Sequence, residues 1–461
     1  MNTDTIAAIA TPLGTGGISI VKISGLDALA AAARIFKPAN ARRRLANTPS
    51  QTMIYGHIHD PASGALVDEV LVTVLRGPHS FTGENVVEIN CHGGPEVTSA
   101  VLDLLLRSGL RHADPGEFTR RAFMNGRIDL TQVEGTIDLI QAKTRRAARL
   151  GSQMIASGLG NEIKRLLTIV RELRVWVEAD IDFVEDITDE PAAPAIRMRV
   201  AEELIPPVEQ LVRHYHDGRI IRRGMRVVLV GKPNVGKSSL MNRLLVRDRV
   251  IVTDVPGTTR DTIEEQMAIE GIPLVVCDTA GIRHSRDPIE RMGQKKTQEA
   301  IEKADLLLFM IDASQPIDDL DRELWKSLDE RPRLVLRNKS DLIQDVGQRS
   351  TLDEPPEGGY LDISALSGEG LERLKSRLLR AAGIDTRAEA QACLPNRRHR
   401  DLLIRSLAAL GGITAQPHDD EQLETMAIDL MDCERCLNQI LGVDVTPDVL
   451  DDIFKRFCIG K

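Results

Sequence analysis

Residues 225–246 read MRVVLVGKPNVGKSSLMNRLLV. The apolar run MRVVLV predicts a buried strand, and SLMNRLLV carries apolar residues at the spacing of one helix face. Between them Gly231 to Ser238 (GKPNVGKS) fits G-x-x-x-x-G-K-[ST], in the strand–loop–helix setting that this motif requires. Backbone amides at a helix start cradle phosphate oxygens because unpaired N–H groups and their dipoles point outward there. The segment from Asn234 through Val235, Gly236 and Lys237 to Ser238 and Ser239 is therefore expected to hold the phosphates of a nucleotide. Lys237 would reach the β and γ oxygens, and the Ser238 hydroxyl would ligate Mg2+.

Downstream, PLVVCD, DLLLFMID and RLVLRNKSD follow as strand segments separated by helical ones, the signature of a parallel sheet flanked by helices. The first runs into DTAG, Asp278 to Gly281: Asp278 would hold the metal through water, Thr279 and Ala280 lead on, and the Gly281 amide would meet the γ-phosphate. GTTRD, Gly257 to Asp261, lies between these two motifs, where a switch loop belongs, with Thr259 as the second Mg2+ ligand. The last strand ends in NKSD: Asn338, Lys339 and, two residues on, Asp341, whose carboxylate accepts both N1–H and the 2-amino group of guanine. Adenine offers no such pair. Ser364, Ala365 and Leu366 (SAL) then stand where a backbone amide would meet guanine O6. Motifs in this order at the carboxyl ends of strands describe a guanine-nucleotide crevice. Ile282 follows DTAG where Ras-like GTPases carry the glutamine that orients the attacking water. Either another group takes that part, with Arg283, His284, Asp287 and Glu290 as the candidates in the loop, or the protein hydrolyses slowly. Arg260 and Arg283 either neutralise transition-state charge or lie on the surface.

The chain of 461 residues is long enough for about three domains. With 59 Lys and Arg against 68 Asp and Glu, its formal charge of −9 gives no global attraction to nucleic acid, so any RNA contact must use a local basic patch. Aromatic residues make up only 3 %, which excludes a broad base-stacking platform. No apolar run reaches the roughly 18 residues of a membrane helix; the run Leu306 to Ile311 is closed by Asp305 and Asp312. The start MNTDTIAAIATPLG lacks the basic and apolar regions of a signal peptide, and six cysteines without one argue for reduced thiols. A cytoplasmic, soluble protein is the expectation.

Residues up to about 120 read as α+β, with strands at Ile6 to Ala10, Ile18 to Ile23, Met53 to Ile58, Val70 to Leu75 and Val86 to Asn90. Helical spacing marks Leu26 to Phe36 and Glu96 to Arg107. From Phe118 to Arg213 the pattern is long helix, and Asn396 to Lys461 is helical again. The expected fold is thus multidomain: an N-terminal α+β domain over 1–120, a discontinuous helical domain over 121–222 and 384–461, and an inserted, doubly wound parallel α/β domain over 223–383. Lys143 to Arg174 holds eight basic and two acidic residues, which describes either a solvated helix face or a local RNA-facing surface.

GKPNVGKSS, TDVPGTTRD, DTAGIR, NKSD and the terminal FCIGK together resemble the MnmE (TrmE) family of tRNA-modification GTPases. The likeness extends over essentially the whole chain, through ATPLGTGGISIVKISG, SFTGENVVEINCHGGPE, PGEFTRRAFMNGRIDL and VEADIDF. It implies a potassium ion in place of an arginine finger, held by Asn234 and by Thr253, Val255 and Thr258 of the switch loop, which also contacts GTP. It implies that Glu290 positions the water, with Arg260 and Arg283 as supporting residues. The N-terminal domain would resemble folate-dependent one-carbon enzymes, bind a formyl- or methylene-tetrahydrofolate through Lys22, Glu88, Arg127 and Lys461, and form a constitutive homodimer. A flavin- and NADH-dependent partner of the MnmG kind would join it in a heterotetramer or larger assembly, to install an aminomethyl or carboxymethylaminomethyl group on the wobble uridine of certain tRNAs.

Three sets of cysteines carry separate expectations. Cys458 in FCIGK is either an accessible thiol or a packed anchor. Cys433 and Cys436 form a C-x-x-C in a helical stretch without a second pair, which favours incidental helix residues over zinc. Cys91 and His92 are neighbours at a strand end and so point to opposite faces, which argues against a nucleophilic dyad. Two other functions remain compatible with the motifs: a pure GTPase switch in ribosome assembly, and a stand-alone one-carbon transferase regulated by its GTPase.

Overall fold

The structure is a computed structural model that describes residues 4–182, 192–248, 264–278, 298–328, 331–343, 350–353, 356, 358–384, 394–415 and 422–461. The chain divides into two compact units: 1–137, 154–179 and 427–461 in the first, and 138–153 and 180–426 in the second. The helical stretches expected at 121–222 and 384–461 contribute to both.

The first unit is built on seven strands: β1 (Ile6–Ile9), β2 (Ile18–Ser24), β3 (Phe36–Pro38), β4 (Thr52–His59), β5 (Leu66–Leu75), β6 (Val86–His92) and β7 (Arg111–His112). Their order is β3-β4-β5-β6-β2-β1-β7, antiparallel except for the β1–β7 edge. The period-2 pattern decides which face is buried. Val21, Ile23, Val70, Val72, Val74, Val87 and Ile89 point into a core covered by the helices Ala28–Ile35 and Pro95–Arg107. Lys22 and Glu88, one residue out of phase, therefore lie on the opposite face as direct cross-strand partners.

The expected long helix is interrupted. In this unit it begins as Glu117–Met124, breaks at Asn125 and Gly126 (φ +68°, a left-handed conformation that glycine adopts at least cost), and resumes as Leu130–Ile140 and Gly158–Asp182. Leu130, Val133 and Ile137 pack on Ile453, Phe454 and Phe457, so the C-terminal segment closes the same core. Much of the basic stretch is neutralised locally: Lys164 pairs with Asp129, Arg165 with Glu162, and Arg171 and Arg174 with Glu434. For these residues the ion-paired helix face is the better description.

The second unit holds six strands: β8 (Met225–Val230), β9 (Glu264–Ile269), β10 (Ile272–Asp278), β11 (Leu306–Asp312), β12 (Arg333–Asn338) and β13 (Tyr360–Asp362), in the order β13-β12-β11-β8-β10-β9. Five are parallel, as expected of a doubly wound sheet. The edge strand β9 is not, because Glu270 and Gly271 (φ +49° and +80°) join it to β10 by a two-residue hairpin, which only antiparallel neighbours accept. Alternate residues of β8 feed separate cores, Val227 and Leu229 on one face and Val228 and Val230 on the other. The helix Ile205–Arg223 is tied to this sheet by Arg219, whose two terminal nitrogens donate to Asp305 at 2.8 and 3.1 Å.

A partly buried ionic cluster fastens the first unit. Arg121 donates to Asp4 at 2.8 Å, to Glu117 at 3.0 Å and to Glu84 at 3.2 Å, and Arg111 joins Asp4 at 2.6 Å. These contacts connect the N-terminal residues, the 77–85 loop and the helix Glu117–Met124. Burial alone would raise the Glu117 carboxyl, but hydrogen bonds from Arg111, the Asp114 amide and Arg121 outweigh it and hold the group below its ordinary value. Arg121→Ala removes one of the two guanidinium groups that serve the buried Glu117, leaving Arg111 as its remaining cation, and should cost about 2 kcal/mol at neutral pH, read as a lowered denaturation midpoint. Because a depressed carboxyl stabilises only above its unfolded value, the gap to wild type should narrow as the pH falls below 4.5. An equal gap at pH 3.5 and pH 7 would remove the charges from the explanation.

Candidate functional site

The loop between β8 and the helix Lys237–Asp248 is shaped by backbone that few residues tolerate. Gly231 (φ +154°) lies against the Met310 carbonyl, and Gly236 (φ +100°) against the Asn338 amide nitrogen, so a Cβ at either would clash. Asn234 sits between them in the left-handed region at φ +62°. Lys237 is buried, and its Nζ donates to the carbonyls of Gly231 (2.8 Å) and Lys232 (2.7 Å), which folds the side chain over the loop. Lys232 reaches away from the loop, to Asp318 at 2.8 Å and Asp321 at 2.7 Å, the two carboxylates that cap the helix Asp319–Ser327. Burial opposes its charge, but the two aspartates hold its ammonium above the usual lysine range.

Asn338 joins the motifs. Its Nδ2 donates to the Val235 carbonyl at 2.7 Å, and its Oδ1 accepts from the Ala365 amide at 2.9 Å, with the side chain buried. Lys339, itself at φ +64°, donates to Asp312 at 2.6 Å. Burial pushes the Asp312 carboxyl up, but Lys339 and Ser314 more than reverse this and keep it ionised. A cavity of about 470 Å3 opens beside these residues, lined by Asn234, Gly236, Ser239, Asn338, Lys339 and Asp341, and by Ser364, Ala365 and Leu366. That size suits a small ligand. Asp341 is exposed at its rim, and Ser238 is exposed on the first turn of the helix. Sequence reasoning missed Asn242, Arg243 and Leu342, which also line the cavity. The first two follow Ser239 at helical spacing of three and four, a signal that was available.

An oxygen-ligated cation fits Asn234 and Ser238 by donor type and by place, one on the cavity wall and one beside the loop. Thr253, Val255, Thr258 and Thr259, together with Arg260, Thr279, Ala280, Gly281, Ile282, Arg283, His284, Asp287 and Glu290, lie outside the described residues. Asp278 ends β10, and its side chain is likewise outside the description.

The other four expected residues lie in the first unit, where the structure pairs Lys22 with Glu88. Lys22 Nζ lies 3.5 Å from Glu88 and stands over the Phe81 and Phe118 rings at 5.7 and 5.6 Å. The Lys461 carbonyl accepts from the Phe118 amide at 3.1 Å. Arg127 lies against Gly83, two residues from Phe81, and neighbouring Asn125 donates to the Thr82 carbonyl. Lys22 is only 16 % exposed, so it is no ordinary surface lysine. The C-terminal tail is fixed rather than loose: Gly116 donates to the Cys458 carbonyl, and Gly460 (φ +90°) packs on the Ile9 carbonyl.

The cysteine expectations resolve by burial. Cys458 is exposed, the accessible alternative, while Cys433 and Cys436 are buried on the helix Gln422–Leu441. Among the described residues no group of three or more His, Cys, Asp or Glu could hold a metal ion. Cys91 is buried, its thiol pushed up by burial, whereas His92 turns outward to Asp68 at 2.6 Å. No dyad forms. Among the described residues, no helix is long and apolar enough to cross a membrane.

Comparison with known proteins gives a consistent picture. Residues 5–127 match the family described as GTP-binding protein TrmE N-terminus, and residues 130–458 match the MnmE helical domain. The chain is 42 % identical to the tRNA modification GTPase MnmE of Carboxydothermus hydrogenoformans, covering 100 % of both chains. It is 41 % identical to that of Lactobacillus johnsonii over 99 % of this chain and 98 % of the other. Among solved structures, Aquifex aeolicus Era bound to GDP and aluminium fluoride aligns at 26 % identity over 42 % of this chain and 68 % of that one, with a TM-score of 0.29. The match of one family over most of the chain, and of relatives end to end, establishes that this chain belongs to the MnmE family of tRNA modification GTPases.

Proposed function

We propose that this chain is a potassium-dependent GTPase that acts on tRNA as a homodimer with a flavin- and NADH-dependent partner. Together they add an aminomethyl or carboxymethylaminomethyl group to C5 of the wobble uridine, with the carbon drawn from a formyl- or methylene-tetrahydrofolate. GTP hydrolysis drives the pairing and opening of the nucleotide domains. The proposed division is 1–120 for folate and dimerisation, 121–222 with 384–461 as the helical domain, and 223–383 for GTP.

The observation that carries this reading is the cavity shared by the phosphate loop, Asn338 to Asp341 and Ser364 to Leu366. In it Asp341 would accept N1–H and the 2-amino group of guanine, while the loop after Ser364 offers an amide to O6. The helix N-terminus and Lys237 would take the phosphates. Ser238 and Thr259, with Asp278 through water, are the proposed Mg2+ set; Asn234, Thr253, Val255 and Thr258 are the proposed potassium set. A cation held there supplies the positive charge that an arginine finger supplies elsewhere. Glu290 is proposed to orient the attacking water.

Support for the folate site comes from the Lys22–Glu88 pair beside Phe81 and Phe118, with the Lys461 backbone bonded to Phe118 and Arg127 against Gly83 of the loop that carries Phe81. A carboxylate there suits the amino groups of a pterin, the exposed Phe81 ring gives it a stacking partner, and the cations suit a glutamate tail.

Nucleosides from tRNA of cells lacking this protein should lose the aminomethyl-type wobble uridines, and the wild-type chain should restore them. An unchanged profile would leave a GTPase switch as the function. Turnover should be at least about tenfold faster in KCl than in NaCl, since the ion offsets transition-state charge; equal rates would eliminate the Asn234 ion site. Glu290→Ala should bind GTP normally yet lose about 100-fold or more in kcat, the usual scale for a group that activates water. Retained turnover would assign the water to another residue.

A further inference from the structure

Arg243 belongs to none of the nucleotide motifs, yet it lies along the loop that would read the base. It is one turn beyond Ser239 on the helix that starts at Lys237, and both residues line the cavity. Its Nη2 donates to the Ser367 carbonyl at 3.0 Å. The guanidinium lies against Gly368 (φ +91°), where an added Cβ would stand 3.3 Å from Nη2 and 3.6 Å from Nε.

The loop it touches is anchored from within at its other end. Ala365 donates to Asn338, the Ser367 amide to Ser364 Oγ at 3.0 Å, and the Gly368 amide to the Ser364 carbonyl at 2.8 Å. Leu366, between these anchors, is 81 % exposed. The Arg243 contact therefore adds a tie from the helix to the outer end of a short turn that Ser364 closes from within and Asn338 holds at its inner end. We propose that Arg243 is a positioning residue that holds Ser364–Gly368 against the base end of the cavity and so strengthens the amide contact to guanine O6. This rests on the nucleotide reading given above. It adds a link between the phosphate helix and the base loop that neither motif contains.

The test uses the full chain, a fluorescent GDP analogue and three triphosphates. GTP offers O6, N1–H and the 2-amino group; inosine triphosphate keeps O6 and N1–H, and 2-aminopurine riboside triphosphate keeps the amino group but neither O6 nor N1–H. Arg243→Met retains the apolar stem while removing the donors; Arg243→Lys restores one donor able to reach a carbonyl. The Met variant should release GDP about fivefold faster, the scale of one lost charge-assisted hydrogen bond at a half-exposed site. Its preference for GTP over the 2-aminopurine nucleotide should fall by a similar factor, while its preference for GTP over inosine triphosphate, set by Asp341, should hold. KM for GTP should rise more than kcat changes, and the Lys variant should recover most of the loss. Release at the wild-type rate, or an equal weakening of all three nucleotides, would overturn the proposal. A wild-type chain that retains no guanine nucleotide would instead overturn the nucleotide reading beneath it.

Discussion

One side-chain amide holds the second unit's site together. Asn338 ends β12, and its donor and acceptor are both committed, one to the phosphate loop at Val235 and the other to the base loop at Ala365. A buried amide with both halves satisfied is geometrically demanding, because a shift of either loop strands a polar atom. Gly236 is a consequence: its Cα faces the same amide nitrogen so closely that no side chain fits. Strand pairing fixes where this amide stands, since Asp312 and Asn338 are register partners at the ends of β11 and β12. Lys339 then crosses back to Asp312. Motifs separated by a hundred residues in the chain thus converge because parallel strands end at one level.

The first unit solves a similar problem with charge. Its proposed ligand residues come from β2, β6, the end of the Glu117–Met124 segment and the C-terminal tail, and no single element carries two adjacent ones. Arg121 and Arg111 bind the carboxylates of Asp4, Glu84 and Glu117, and this fixes the 77–85 loop that carries Phe81. Ser24 reinforces it from β2 by meeting Thr82 and Glu84 at 2.8 and 2.7 Å. The tail completes the arrangement through Gly460, which lies against the Ile9 carbonyl too closely for any other residue.

These two constructions differ in how far they can be read from sequence. Gly231 to Ser238, NKSD and SAL are local signals, each a few residues long and each placed by the strand before it, so the crevice was legible as far as the described residues reach. The alternation that separates Cys91 from His92 was legible for the same reason. The proposed folate residues rest on family resemblance alone: Lys22 and Glu88 are cross-strand partners, Arg127 and Lys461 lie far apart in sequence, and none leaves a periodic trace. Strand β9 was missed because EEQMAI is acidic and half polar, and β13 because three residues carry no period. The expected long helix over 118–213 hid its break at Gly126, since apolar spacing continues on either side of the turn.

The lysines around the phosphate loop show how charge is partitioned there. Lys232 faces Asp318 and Asp321, and Lys339 faces Asp312, so each ammonium is neutralised by carboxylates a few ångströms away. Such pairs stiffen the loop's surroundings but add little net field at the phosphates. Lys237 instead donates to the carbonyls of Gly231 and Lys232, dipoles that orient the ammonium without cancelling its charge. In the proposed site, attraction for a triphosphate would therefore fall to Lys237 and to the amides at the start of its helix. The paired lysines keep those donors in place, and that division explains why a chain of net charge −9 can still present a polyanion site.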